Sequence, residues 1–163
     1  AAVYVHANAF FYAALLKMGE ADRALALLET VHPCNRVNPT ASSGAPPYVL
    51  PNSYYGPGYT IRPGRIEGTW VTGSASWFLH QTIEAMCGVQ RALGGLRLRP
   101  CLPTSWNEVR VERLFRGDRY DIHIRREPGA PGVRVKLDGR LLPDNLVPVA
   151  GDGEAHRVDV ETR

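Results

Sequence analysis

The feature that most constrains this chain is a change of hydrophobic period at Gly94-Gly95. Upstream, apolar residues recur at three-to-four spacing, as on the buried face of a helix; downstream they alternate, as on a half-buried strand. Phe10, Phe11, Ala14, Leu15 and Met18 form the first helical stripe, and Gly19 ends it as a C-cap would. Glu20 to Val31 repeats the pattern with Ala21, Ala24, Leu25, Leu28 and Val31 before Pro33, so the two segments predict an antiparallel αα-hairpin. The spacing predicts a third helix from near Thr72–Ser74 through Leu79, Ile83 and Met86 to about Leu93. Beyond Gly95, alternation at Val109 and Val111, at Tyr120, Ile122 and Ile124, at Val133, Val135 and Leu137, and at Val158 and Val160 predicts strands. Gly117-Asp118 lies between the first two, and Asp138-Gly139 is a strong hairpin signal. The fold class this predicts is α+β, with helices over residues 1–95 and a small antiparallel β domain over 96–163.

Between the second and third helices, residues 33–69 are rich in Pro, Gly, Ser, Asn and Tyr. That stretch is too aromatic for a disordered linker and too rich in breakers for regular structure, so it reads as a long ordered loop, a kind of segment that often carries function.

Composition excludes several classes. With 44% hydrophobic and 21% charged residues the chain can bury a core and is far from the profile of disorder. A net charge of +3, only two lysines and no basic run argue against nucleic acid or an anionic membrane surface as partner. Cys34, Cys87 and Cys101 are odd in number and unpaired in spacing, so neither a disulfide framework nor a metal site is expected, and a reducing, cytoplasmic setting fits. No apolar run approaches the roughly 18 residues of a membrane span.

Three segments can carry chemistry. Tyr4-Val5-His6-Ala7-Asn8 puts an imidazole at a helix start, where it can donate to an anionic or sugar oxygen. Tyr48, Tyr54 and Tyr55, among prolines and glycines, offer apolar faces with polar tips, a chemistry suited to sugar rings; packing the loop onto the helices would use the same residues. Trp70-Val71-Thr72-Gly73-Ser74 supplies a hydroxyl, an unobstructed backbone and the amides of a helix N-terminus, which suit an anion, although Thr and Ser there are also ordinary caps. No pair of carboxylates marks a general acid and base, and Glu67 lies closest to these segments.

Taken in order and spacing, Tyr4-Val5-His6-Ala7, Pro47-Tyr48-Val49, Tyr54-Tyr55-Gly56-Pro57, Trp70 to Trp77, Gly95 to Pro103 and Phe115-Arg116-Gly117 resemble the cellobiose and chitobiose phosphorylase family of inverting glycoside phosphorylases. The resemblance implies that residues 1–95 are the last helices of an (α/α)6 catalytic barrel and that the β domain follows it. It implies an enzyme in which inorganic phosphate attacks the anomeric carbon of a β-linked disaccharide while an aspartic acid protonates the leaving oxygen, giving an α-sugar 1-phosphate with inversion. That acid lies upstream of the matched region, so no catalytic residue is expected in this chain, which alone is expected to be inactive. His6, Thr72 and Gly73 match the family's phosphate-binding positions, and Tyr48, Tyr54 and Tyr55 are candidates for substrate contact. No cofactor is implied beyond phosphate as co-substrate. The implied partners are the disaccharide and phosphate, with a homodimer for the whole protein. The alternatives are a non-catalytic carbohydrate-binding module, the phosphorylase-like end of a cyclic β-glucan synthase, or a related hydrolase using Glu67. Separated from the rest of a barrel, the helices should expose apolar faces and drive association of the isolated chain.

Overall fold

Helix α1 (Val5–Lys17) and helix α2 (Ala21–Val31) form the expected hairpin. Gly19 takes φ +79, Glu20 N–H donates to Leu15 O at 2.9 Å and Gly19 N–H to Leu16 O at 3.1 Å, the paired bonds of a Schellman stop. The buried face of α1 is rotated from the predicted stripe. Val5, Ala9, Tyr12, Leu15 and Leu16 are buried, while Phe10, Phe11 and Met18 face outward at 49, 50 and 65% exposure.

The computed structural model describes residues 2–163, which fall into two compact units, Ala1–Gln81 and Thr82–Arg163. Residues 82–95, grouped with the helices by the sequence reading, belong to the second unit.

In the first unit the expected loop holds regular structure. A short helix α3 (Thr40–Ser43) is followed by strands β2 (Pro51–Tyr55) and β3 (Ile66–Thr69), which form a three-stranded sheet with β1 (Ala2–Tyr4) in the order β1-β2-β3. Both outer strands run antiparallel to β2, with Tyr4 opposite Ser53 and Thr69 opposite Pro51. They are therefore parallel to each other and leave the sheet at the same end, β1 into α1 and β3 toward helix α4 (Ser74–Gln81).

The third helix is shorter than its apolar spacing predicts. It stops at Gln81, a π-helical turn covers Thr82–Met86, and Val89–Ala92 is strand β4, hydrogen-bonded to β5 (Gly95–Leu98). Gly88 breaks the helix at φ +72, where an added Cβ would lie 2.1 Å from the Arg99 carbonyl carbon. Close approach of two backbones at that point overrides local propensity.

Strand β10 (Leu146–Pro148) extends that sheet to the order β10-β5-β4. The second sheet is β6 (Glu108–Phe115), β7 (Asp118–Arg126), β8 (Arg134–Leu137), β9 (Arg140–Leu141) and β11 (Ala155–Thr162), in the order β6-β7-β11-β8-β9. It is mixed rather than antiparallel, because β11 inserts between β7 and β8 and runs parallel to β7 from Ala155↔Arg119 to Thr162↔Arg126. The two sheets share one core in which Tyr120, Ile122, Ile124, Val135, Val158 and Val160 meet Val89, Leu96, Leu98 and Val147. The α+β class thus holds, with few helices and two sheets in this unit.

Candidate functional site

The common exit of β1 and β3 places His6 and Thr72-Gly73 side by side. His6 sits in the first turn of α1, two residues after the end of β1. Gly73 precedes the first residue of α4, and a Cβ built on it would lie 3.5 Å from His6 Cε1 and 3.8 Å from Nε2. The imidazole edge therefore lies against the bare Cα of Gly73, and a larger residue there would screen the ring nitrogen.

That nitrogen is the outstanding polar atom of the first unit. His6 Nε2 is buried and has no hydrogen-bond partner. Leaving such a group unpaired costs about 1–3 kcal/mol, so the arrangement calls for a partner. Aromatic rings fix the imidazole: Phe10 at 4.9 Å, Tyr4 at 6.2 Å and Trp77 at 6.4 Å between ring centroids, with Phe10 and Trp77 edge to face at 4.9 Å.

Thr72 and Ser74 complete the cradle. Ser74 N–H donates to Thr72 Oγ1 at 3.2 Å, and the two hydroxyl oxygens are 2.9 Å apart. With Ser74 Oγ donating in that pair, the Thr72 proton is free to point at a bound anion. Ser76 Oγ donates to Gly73 O at 2.8 Å, which ties the start of α4; with Ser74 N–H engaged by Thr72, the Ala75 and Ser76 amides are the first-turn donors left for an anion, at the positive end of the helix dipole. Imidazole, hydroxyl and helix-start amides together can bind a tetrahedral anion without a metal.

Two further residues shape this corner, and the sequence reading did not single them out. Asn52 on β2 donates from Nδ2 to Val71 O at 2.9 Å, anchoring the segment before Thr72 to the middle strand. Trp70 takes φ +67 with its side chain 74% exposed. Left-handed backbone at a bulky residue costs about 1–3 kcal/mol and tends to persist at functional sites. No sequence signal marks Trp70 as left-handed, since Asn or Gly would be the usual choice.

The tyrosines take different places. Tyr54 is buried, its hydroxyl donates to Val31 O at 3.2 Å at the end of α2, and burial, then the Cys34 thiol, pushes its pKa upward. Tyr55 is half-buried with its ring 4.8 Å from that of Tyr59, and both Tyr54 and Tyr55 line a cleft of about 430 Å³ with Val31, Pro57 and Pro63. Tyr48 is 80% exposed. Glu67, on β3, is exposed and accepts from Ser53 Oγ at 3.2 Å.

The catalytic-domain model of the glycosyl hydrolase 94 superfamily matches residues 1–88, which include the whole of this corner. The chain belongs to the glycosyl hydrolase 94 superfamily. This bears out the resemblance read from the motifs. Among curated relatives, solabiose phosphorylase of Paenibacillus borealis is 32% identical over 160 residues, 97% of this chain and 21% of the relative. Cellobionic acid phosphorylase of Neurospora crassa is 34% identical over 163 residues, 98% of this chain and 20% of the relative. A cyclic β-(1,2)-glucan synthase of Rhizobium meliloti is 31% identical over 138 residues, 81% of this chain and 5% of the synthase. This glycosyl hydrolase 94 chain thus spans about a fifth of the length of the phosphorylases it matches. No helix among its described residues is long and apolar enough to cross a membrane.

Proposed function

We propose that this chain is part of a disaccharide phosphorylase and contributes the phosphate-binding corner of its active site. The observation that carries the reading is the buried, unpartnered Nε2 of His6 against Gly73, beside the Thr72 hydroxyl and the start of α4. In an inverting reaction that uses phosphate in place of activated water, an anion cradle stands where a hydrolase needs a second carboxylate. His6 donates to one phosphate oxygen, Thr72 Oγ1 to another, and the Ala75 and Ser76 amides hold the anion in line with the anomeric carbon. Charge-assisted bonds of this kind contribute about 1.5–3 kcal/mol each. The attacking oxygen forms the new bond to the anomeric carbon as the glycosidic oxygen leaves with a proton from an acid outside this chain, and the product is an α-sugar 1-phosphate.

In this reading residues 1–81 are assigned to the end of an (α/α)6 barrel and residues 82–163, in which β4 already pairs with β5, to the β domain that follows it. The complete enzyme works in the cytoplasm as a homodimer, with no cofactor beyond phosphate. Tyr55 is retained as a candidate sugar contact. The engaged hydroxyl of Tyr54 favours a packing role, and the exposed Tyr48 is retained only as a peripheral contact. A second reading, the phosphorylase-like end of a glucan synthase, is favoured by the match to the Rhizobium meliloti enzyme.

The test is to assay the full-length protein on cellobiose, chitobiose, cellobionic acid and solabiose with and without inorganic phosphate. Phosphate-dependent release of sugar 1-phosphate, lost in His6→Ala and Thr72→Ala, is expected. Cleavage that needs no phosphate would replace this reading with a hydrolase, and no cleavage with a binding module.

A further inference from the structure

Among the described residues, three that are not glycine have positive φ: Trp70 at 67°, Arg116 at 53° and Asp138 at 48°. Two are explained by local chemistry. Arg116-Gly117 joins β6 to β7 and Asp138-Gly139 joins β8 to β9, and two-residue hairpin turns of this kind require a left-handed first residue. Trp70 closes no hairpin; it follows the last residue of β3 and leads into Thr72. Its indole is not buried either, at 74% exposure. A strained backbone and an exposed indole thus meet at one residue.

We propose that Trp70 is a sugar-binding residue of the phosphorolysis site, its indole face stacking on the pyranose ring that phosphate attacks. The inference rests on the phosphate-cradle reading above. Two residues of extended chain span at most about 7 Å, which bounds the distance from the Trp70 Cα to that of Thr72. Reacting atoms must approach to about 3–3.5 Å, so the ring carrying the anomeric carbon lies directly on the bound phosphate. A pyranose placed there is within reach of an indole anchored one strand-end away. A flat aromatic face with an N–H at its edge matches the C–H face and hydroxyl rim of such a ring. The left-handed backbone turns residue 70 out of the β3 ladder, and the Asn52 bond to Val71 O holds the next residue in place.

The experiment compares Trp70→Gly and Trp70→Phe with the unmodified full-length protein, using the disaccharide of the panel above that is cleaved fastest. Gly accepts positive φ without strain, so Trp70→Gly should melt at the same temperature or higher. Its KM for the disaccharide should rise about tenfold while KM for phosphate stays within about twofold, and Trp70→Phe should recover most of the loss. Three results overturn the proposal. An unchanged disaccharide KM with a lower melting temperature makes Trp70 a packing residue. A raised phosphate KM alone makes it a support for Thr72. Loss of phosphate dependence in the unmodified protein removes the cradle and this inference together; if His6→Ala abolishes turnover but both Trp70 variants behave as the unmodified protein, only this inference fails.

Discussion

The two units bury apolar side chains in similar number and finish their surfaces differently. Among the described residues, twelve hydrophobic residues are buried in the first and thirteen in the second, yet thirteen of the sixteen large hydrophobics left exposed belong to the first. Only Leu93, Leu114 and Leu141 are exposed in the second. Polar atoms follow the same division. The buried Asp118 accepts from Gly151 N at 2.7 Å, Gly153 N at 3.0 Å and Tyr120 Oη at 3.2 Å, while both ring nitrogens of His156 face carboxylates, Asp138 at 2.9 Å and Asp152 at 3.1 Å. In the first unit His6 Nε2 is buried with no partner, whereas the second unit's Arg113 Nε and His123 Nε2, also buried without a hydrogen bond, belong to side chains that face carboxylates, Glu84 at 3.6 Å and Asp121 at 3.2 Å. The second unit closes its apolar surface and sets its buried polar side chains against opposite charges, while the first leaves apolar surface exposed and one buried imidazole nitrogen without a partner, features that binding sites carry.

The largest effect should come from opening the closed core. Ile122→Ala removes a fully buried side chain between the sheets and should cost about 2–5 kcal/mol in denaturant unfolding of the second unit; a loss below about 1 kcal/mol would mean that core is not closed. Next, His6→Ala should raise the KM for phosphate of the full-length protein by about ten- to a hundredfold, with stability falling only by the ring's packing against Tyr4, Phe10 and Trp77, because the nitrogen removed has no partner in the free protein. A stability loss as large as that of Ile122→Ala with an unchanged phosphate KM would give His6 a purely structural role.

A smaller effect is set by pH. The Asp138 hydrogen bond, with Asp152, raises the His156 pKa, so its contribution is complete below the unfolded-state value of about 6.5 and is lost as pH rises through the folded-state value. Amides of Gly151 and Gly153 hold the Asp118 carboxyl below its ordinary range, and its contribution is lost only as pH falls through that depressed value. Melting temperature should therefore decline between neutral and alkaline pH, and His156→Gln should flatten that decline while leaving the Asp118 part of the acid limb in place and weakening the Asp138 part, which the His156 hydrogen bond sets first. Smallest in stability, Phe11→Gln with Leu79→Gln should alter unfolding by no more than about 0.5 kcal/mol per site, yet reduce the self-association expected of this chain in sedimentation. A wild-type chain that sediments as a monomer would remove the contrast in surface finish.

What the sequence disclosed was local. Gly19 and the flanking apolar stripes located the αα-hairpin, and alternation with Asp138-Gly139 located β7, β8 and β11, because apolar period and turn chemistry are read within a few residues even where the pairing, as for β11 with β7, is distant. The sheet that brings His6 to Gly73 was not legible. β1 has three residues and β3 four, too short to show a period, and β2 lies among prolines and tyrosines whose pairing is set across the fold. The run from Thr82 to Leu93 kept helical spacing, but it stays helical only as a π-turn to Met86 and becomes a strand from Val89, since backbone contact at Gly88 decides it. Motifs thus named His6, Thr72 and Gly73, while their juxtaposition, the orphaned nitrogen and the strained Trp70 emerge only from long-range pairing.

The central claim is that phosphate is the missing partner of His6 Nε2. It is tested most directly by titrating inorganic phosphate into full-length protein labelled with ¹⁵N-histidine and following the ring nitrogens. A saturable shift confined to His6 Nε2, absent in Thr72→Ala at the same concentrations, is the predicted result. Phosphate-dependent turnover with no response at His6 would contradict it.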